Sequence, residues 1–149
     1  MKFKTPQPLK AEHEELHAEL AKATKVKGKI GDAAKTVAEV LHPHFVKEEE
    51  YAMPPLGLLP IIARGKVSME MWEALMMTDK LKAELKQMLK EHKGIVGALK
   101  RLAAIAKKEK KMEYVRFAEK LMLHAKTEEE VLYPASILVG EYLKLKLKK

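Results

Sequence analysis

The sequence contains no cysteine in its 149 residues, which excludes disulfide bonds, iron–sulfur clusters, thiolate zinc sites and thiol nucleophiles. It also has no asparagine, only two glutamines, and many lysines and glutamates, a bias reported for proteins of hyperthermophiles. Any metal must therefore be held by nitrogen and oxygen atoms, and we expect a thermophilic source.

Long apolar runs are absent as well. No stretch approaches the eighteen or more apolar residues of a membrane span, and the opening MKFKTPQPLK lacks the apolar segment of a signal peptide. A chain of this length with 47% hydrophobic residues can bury a core as one domain. We expect one cytoplasmic domain over residues 1–149 without a membrane partner, with its core at about 9–134 and a lysine-rich tail at 144–149.

Arginine and aromatic residues are scarce, although the net charge is +8. Only three arginines are present and aromatic residues make up 5% of the chain, so bidentate or stacked recognition of bases is not indicated. We predict no nucleic-acid partner. The methionine-rich segment 69–77 around Trp72 leaves a protein partner or a homo-oligomer open.

Apolar residues recur at helical spacing along most of the chain, and no segment alternates as a strand does. The pattern predicts an all-α protein, an up-down-up-down four-helix bundle with short additional helices. The long helices are expected at about 9–28, 32–52, 80–108 and 112–133, and the short ones at 67–77 and 135–145. Their expected boundaries are a turn and N-cap at Gly31 and Asp32, a kink or break at Pro43, a cap at Thr78 or Asp79, and an end or kink at Pro134.

A stretch of eleven residues occurs twice. HFVKEEEYAMP at residues 44–54 returns eighty positions later as HAKTEEEVLYP at residues 124–134, with His, three Glu and Pro at the same offsets. Each copy places a His and a Glu four residues apart, so both side chains lie on one helix face, one turn or about 5.4 Å apart along the axis. An imidazole and a carboxylate placed in this way can bind one metal ion.

A lone histidine precedes each copy at a similar interval. The two units together supply four imidazoles and two carboxylates, enough for two metals: His13, His44, Glu48, His92, His124 and Glu128. One histidine on an apolar face is usually an ordinary core residue, but burying all six groups without a partner would cost several kcal/mol per charged group. Such a nitrogen and oxygen donor set suits iron, and zinc or manganese would also fit.

These residues resemble the hemerythrin-like, HHE cation-binding family over about residues 9–134, because the lone histidines and both His-x-x-x-Glu motifs recur with the family's spacing. The resemblance implies a non-haem diiron centre that binds dioxygen or reacts with peroxide or nitric oxide. Family members act as oxygen carriers, sensors, iron-handling modules or oxidative-stress proteins. The resemblance does not select among these roles.

The chain departs from the oxygen-carrying members of that family. They have a second histidine one turn from the one on the third helix, where this chain has Met88 and Val96 on either side of His92. Their fourth-helix carboxylate is an Asp five residues after its histidine, whereas Glu128 is four residues after His124. His17, one turn after His13, either supplies the missing ligand or lies beside the site without binding metal.

Three functions follow from this donor set. The first is binding or sensing of dioxygen, and the second is a diiron oxidase or a peroxidase-like stress enzyme. The third is iron storage or a structural metal site. Structural zinc sites close with four ligands, whereas six or seven candidate ligands for two metals leave positions open, so the pattern favours the first two.

Overall fold

The computed structural model of the protein describes residues 3–147, which form helices connected by short turns and contain no strand. The α-helices are α1 (Gln7–Thr24), α2 (Lys29–Lys47), α3 (Leu59–Ala63), α4 (Trp72–Lys108), α5 (Met112–Thr127) and α6 (Tyr133–Leu147). Short 3₁₀ turns at Pro54–Leu58 and Met69–Met71 flank α3. None of the helices in this range is long and apolar enough to cross a membrane.

Four long helices pack in a ring. α1 contacts α2 and α5, and α4 contacts α2 and α5 from the opposite side. Because the connections from α1 to α2 and from α4 to α5 are only a few residues long, neighbours run antiparallel, as in an up-down-up-down bundle. The predicted fold class is confirmed. The end of the predicted lysine-rich tail, residues 148 and 149, lies outside the described residues.

The second helix begins earlier than its predicted cap. Gly28, with a φ of 95°, makes the turn, and α2 starts at Lys29, so that Gly31 and Asp32 lie in its first turn. A Cβ at Gly31 would be 1.7 Å from the carbonyl oxygen of Val26, so only glycine permits this close approach. The predicted N-cap was therefore placed too late along the chain.

Two predicted helix breaks are absent. Of the kink or break predicted at Pro43, the break does not occur: α2 continues through this residue, and buried residues on both sides, Leu41 and Phe45, hold it against the core. α4 is one helix from Trp72 to Lys108, although a new helix was predicted after residue 77. The hydroxyl of Thr78 donates to the carbonyl of Leu75 at 3.0 Å inside that helix instead of capping a new one.

A π-helical turn follows the His-x-x-x-Glu motif in both repeats. The turns span Glu48–Ala52 and Glu128–Leu132, and each starts at the glutamate. The amide of Met53 donates to the carbonyl of Glu48 at 2.9 Å, five residues back, and Tyr133 makes the same bond to Glu128. A proline comes next in both repeats. The widened turn accommodates its ring, so the chain continues from α5 into α6 instead of ending at Pro134.

The apolar core divides into clusters with polar side chains between two of them. The larger cluster fills the end of the bundle that holds the α1–α2 and α4–α5 connections, and includes Leu16, Phe45, Ile95 and Leu121. The second cluster lies further along the bundle and includes Met88 and Tyr133. On each long helix the predicted metal ligands come between residues of these two clusters. The helices thus bring these ligands to one level inside the bundle.

Candidate metal centre

The six repeat-related histidines and glutamates meet in the interior of the bundle. α1, α2, α4 and α5 each contribute one histidine, and the two π-helical turns contribute the glutamates. Their exposed fractions are 6% or less: His13 6%, His44 1%, Glu48 0%, His92 1%, His124 5% and Glu128 2%. The sequence prediction that these side chains share one buried cluster agrees with the structure.

The first set of donors, here called the His44 group, consists of His44, Glu48, His92 and Glu128. One ligand atom from each lies within 4.8 Å of the others. The Nε2 atom of His44 is 3.4 Å from Oε2 of Glu48, and Nε2 of His92 is 3.1 Å from Oε1 of Glu128. Two imidazoles and two carboxylates therefore surround one point.

The second set, here called the His13 group, consists of His13, His124 and Glu128. The two Nε2 atoms are 3.0 Å apart, and Oε2 of Glu128 is 3.3 Å from His13 and 3.0 Å from His124. Glu48 approaches from the other side, with Oε1 3.9 Å from Nε2 of His13. Glu128 thus belongs to both groups and turns one oxygen towards each.

Three further carboxylates orient the imidazoles from outside. Nδ1 of His44 donates to Glu91 at 2.8 Å, and Nδ1 of His92 pairs with Glu129 at 3.0 Å. Nδ1 of His124 pairs with Glu12. Because Nδ1 carries the proton in each pair, Nε2 is left to face the interior as a lone-pair donor.

This arrangement of donors fits a cation. Lone pairs on the inward Nε2 atoms face carboxylate oxygens. Two such acceptor atoms repel each other unless a proton or a metal ion lies between them. Oε1 of Glu48 is buried without a hydrogen-bond partner, which is costly for an ionised oxygen. Two buried carboxylates and four imidazoles form a set of the kind that binds divalent metals with nitrogen and oxygen ligands.

Without a metal, the cluster retains protons. Burial and the nearby charge of Glu128 raise the pKa of Glu48 to about 7. Burial opposes the charge on His124, but the hydrogen bond and charge of Glu128 raise the pKa of this imidazole to about 9. Burial also acts to raise the pKa of Glu128, yet hydrogen bonds from His124, His13 and His92 hold it well below its usual range. Protons therefore occupy the positions where a cation would reside.

His17 lies outside both groups. Its ring stacks on Phe45 with centroids 4.7 Å apart, and the ring of Phe45 also stacks on His13 at 4.7 Å. Burial lowers the pKa of His17, and the neighbouring His42 lowers it further. The structure therefore places His17 beside the His13 group without bringing it among the other ligands. His42, two residues before His44 on α2, is exposed.

Tyr133 was not among the site residues predicted from the sequence. Its hydroxyl donates to Oε2 of Glu48 at 2.5 Å and lies 3.0 Å from Nε2 of both His44 and His92. Burial and the charge of Glu48 raise the pKa of Tyr133. The prolines six residues after each glutamate were the available signal, since they mark the widened turn that moves Tyr133 inward.

A cavity opens beside the His13 group. It has a volume of about 560 Å³ and is bordered by His13, His17 and Met53, with Lys4 and Glu49 among the polar residues of its wall. Met53 occupies the position in the first repeat that Tyr133 occupies in the second. The two groups therefore differ: Tyr133 lies against the His44 group, while the cavity reaches the His13 group.

Comparison with known proteins agrees with the donor set. A family model described as hemerythrin HHE cation binding domain matches residues 6–136, most of the chain. No curated protein and no solved structure shows a significant match. The matched range contains all six buried donors and His17.

Proposed function

Because the chain belongs to the hemerythrin HHE cation-binding domain family, we propose that it binds two iron ions and uses them to bind or sense dioxygen, or a related small oxidant such as peroxide or nitric oxide. Bound iron would supply both an open position for the oxidant and the electrons that reduce it. Iron suits a donor set of imidazoles and carboxylates that has no thiolate.

The observation that carries this proposal is the position of Glu128. Its Oε1 lies 3.1 Å from Nε2 of His92 and its Oε2 lies 3.0 Å from Nε2 of His124. One carboxylate is thus shared by two sets of imidazoles. Such sharing supports two metals held side by side, with His44 and His92 serving one and His13 and His124 serving the other.

The size of the ligand follows from access to the His13 group. His13, which borders the cavity, has only 6% of its surface exposed, the largest fraction among the six donors. This small exposed fraction favours a diatomic or similarly small molecule over a large organic substrate at the His13 group. Apolar side chains of the adjoining cluster, such as Phe45, limit water near the imidazoles.

The site is tested by metal content and by optical spectra. We expect two irons per chain after expression with iron, and a visible charge-transfer band that appears in air and disappears when oxygen is removed. Irreversible oxidation with turnover of peroxide would instead support the oxidase or peroxidase function. Zinc in place of iron, with no response to air, would contradict the proposal and support a structural site.

Ligand variants show which residues hold each ion. His124→Ala should lose the metal of the His13 group and retain about one iron per chain, and His92→Ala should lose the other. His42→Ala is the matched control, because His42 is exposed and lies outside both groups. Two irons per chain in both His124→Ala and His92→Ala would show that the ligand assignment is wrong.

A further inference from the structure

We propose that Tyr133 is itself a metal ligand, binding the ion of the His44 group through its phenolic oxygen. This inference rests on the proposed function, because it assumes that the His44 group holds a metal. It extends the donor set of that group from histidine and glutamate to tyrosine, and it makes the two metal positions chemically unequal.

The geometry around the hydroxyl carries the inference. Oη of Tyr133 is 3.0 Å from Nε2 of His44 and 3.0 Å from Nε2 of His92. It is also 2.5 Å from Oε2 of Glu48. These three atoms are the ones that the His44 group would direct at an ion. The phenolic oxygen is therefore as close to the other donors as they are to one another.

The backbone places this oxygen where an ordinary helix would not. In an α-helix the residue four after Glu128, Leu132, would lie above it on the inward face. In the π-helical turn the amide of Tyr133, and not that of Leu132, donates to the carbonyl of Glu128. The residue five positions after Glu128 therefore takes the inward place. Tyr133 is completely buried as a result, with 0% of its surface exposed.

The first repeat provides an internal comparison. Met53 follows Glu48 by the same five residues and the same widened turn, and it is also completely buried. Its thioether is a soft and weak ligand for iron, whereas a phenolate oxygen is a hard anionic one. The equivalent position is therefore a ligand on one side only, and the His13 group is left open towards the cavity.

Binding exchanges a proton for the cation. Before metal binds, the phenolic O–H donates to Glu48. On binding, that O–H bond breaks, an oxygen–metal bond forms, and the proton leaves to solvent. The oxidation state of the metal does not change in this step. The phenolate then offsets one positive charge of the ion inside an apolar surrounding, which favours the ferric state over the ferrous state.

Ferric iron is the probe, because phenolate bound to iron(III) absorbs visible light and gives phenolate ring modes in resonance Raman spectra. We expect these modes in wild-type protein loaded with iron(III). Tyr133→Phe, which removes only the hydroxyl, should abolish them while two irons per chain remain bound or one binds more weakly. Tyr51→Phe is the matched control, since Tyr51 is also buried, with 3% of its surface exposed, but donates to Sδ of Met88 at 3.8 Å.

The outcomes separate this inference from the proposed function. Phenolate modes that persist in Tyr133→Phe, or wild-type protein with two irons and no such modes, would overturn the tyrosine ligand and leave the diiron proposal in place. Wild-type protein that holds no iron would overturn both. If Tyr133→Phe does not fold, the spectrum of Tyr51→Phe decides. Phenolate modes retained in this variant would assign the ligand to Tyr133, because the other tyrosines, Tyr114 and Tyr142, lie outside the metal groups, and their loss would overturn the assignment.

Discussion

Glu91 accepts a hydrogen bond from Nδ1 of His44 at 2.8 Å, and Glu12 makes the same contact with Nδ1 of His124 in the other half of the bundle. Each of these glutamates directly precedes the lone histidine of its own repeat. In each Glu-His pair the histidine belongs to one of the two donor groups. The glutamate orients the other histidine of the same group, which comes from the opposite repeat. The two halves are tied together through the site.

Glu91→Gln should weaken iron binding. The amide oxygen accepts a weaker hydrogen bond than the carboxylate does. Nε2 of His44 therefore becomes a weaker metal ligand, and the imidazole ring is less firmly oriented. Loss of such an outer carboxylate typically lowers metal affinity about 10–100-fold. Competition with a chelator, followed by the metal content of the recovered protein, measures the change.

The matched control for this substitution is Glu119→Gln, an exposed glutamate on α5. It removes the same charge from the protein without touching an imidazole. Equal loss of affinity in both variants would mean that net charge, and not the contact with His44, determines the effect.

The buried cluster of histidines and glutamates was predictable from sequence because helical spacing is regular. His44 and Glu48 are four residues apart, so they share a helix face whatever the packing, and the repeat identified their partners. Tyr133 was not assigned to the site because the expectation assumed an α-helix up to that residue. The widened turn changes which residue points inward, and that change depends on how Pro134 is accommodated.

The metal-free protein should lose stability as the pH rises. The folded-state pKa of His124 is about 9 and its ordinary value is 6.5, so its contribution is fully present below pH 6.5 and is lost as the pH passes 9. Glu48, raised from 4.5 to about 7, has the same sign over a lower range. Urea denaturation of metal-free protein should show a loss on the order of 3 kcal/mol between pH 6 and pH 9.

Iron-loaded protein provides the contrast for this pH effect. Metal binding displaces the protons from His124 and Glu48, so metal affinity rises with pH and the loaded protein should not lose stability over that range. Metal-free His124→Ala should show a flatter dependence than the metal-free wild type. An unchanged pH dependence in this variant would assign the effect to other groups.

Two helical glycines should respond to alanine with opposite signs. A Cβ at Gly140 of α6 would lie 1.9 Å from the hydroxyl oxygen and 2.6 Å from the Cβ of Thr78, so α4 and α6 would have to separate. Gly140→Ala should therefore destabilise the fold by about 1–3 kcal/mol. Gly97 of α4 has open space around it, and Gly97→Ala should stabilise by about 0.4–1 kcal/mol. Denaturation midpoints compare the two, and a stabilising Gly140→Ala would refute the close contact.

Deletion of Glu130 should leave the helix in place but disrupt the metal site. Glu130 is an exposed residue within the second π-helical turn, which contains one residue more than an α-helical turn. Its removal would allow α5 to continue into α6 as a regular α-helix. The fold should persist with lower thermal stability, because Pro134 would then lie inside a regular α-helix, where it lacks an amide proton and its ring crowds the carbonyl four residues back. Glu128 would leave the position where its two oxygens face both groups, so we expect iron content to fall below two per chain.

Deletion of Glu109, which lies in the connection between α4 and α5, is the comparison, since it shortens the chain equally without touching either π-helical turn. Two irons per chain after the Glu130 deletion would show that the widened turn is not needed to orient Glu128.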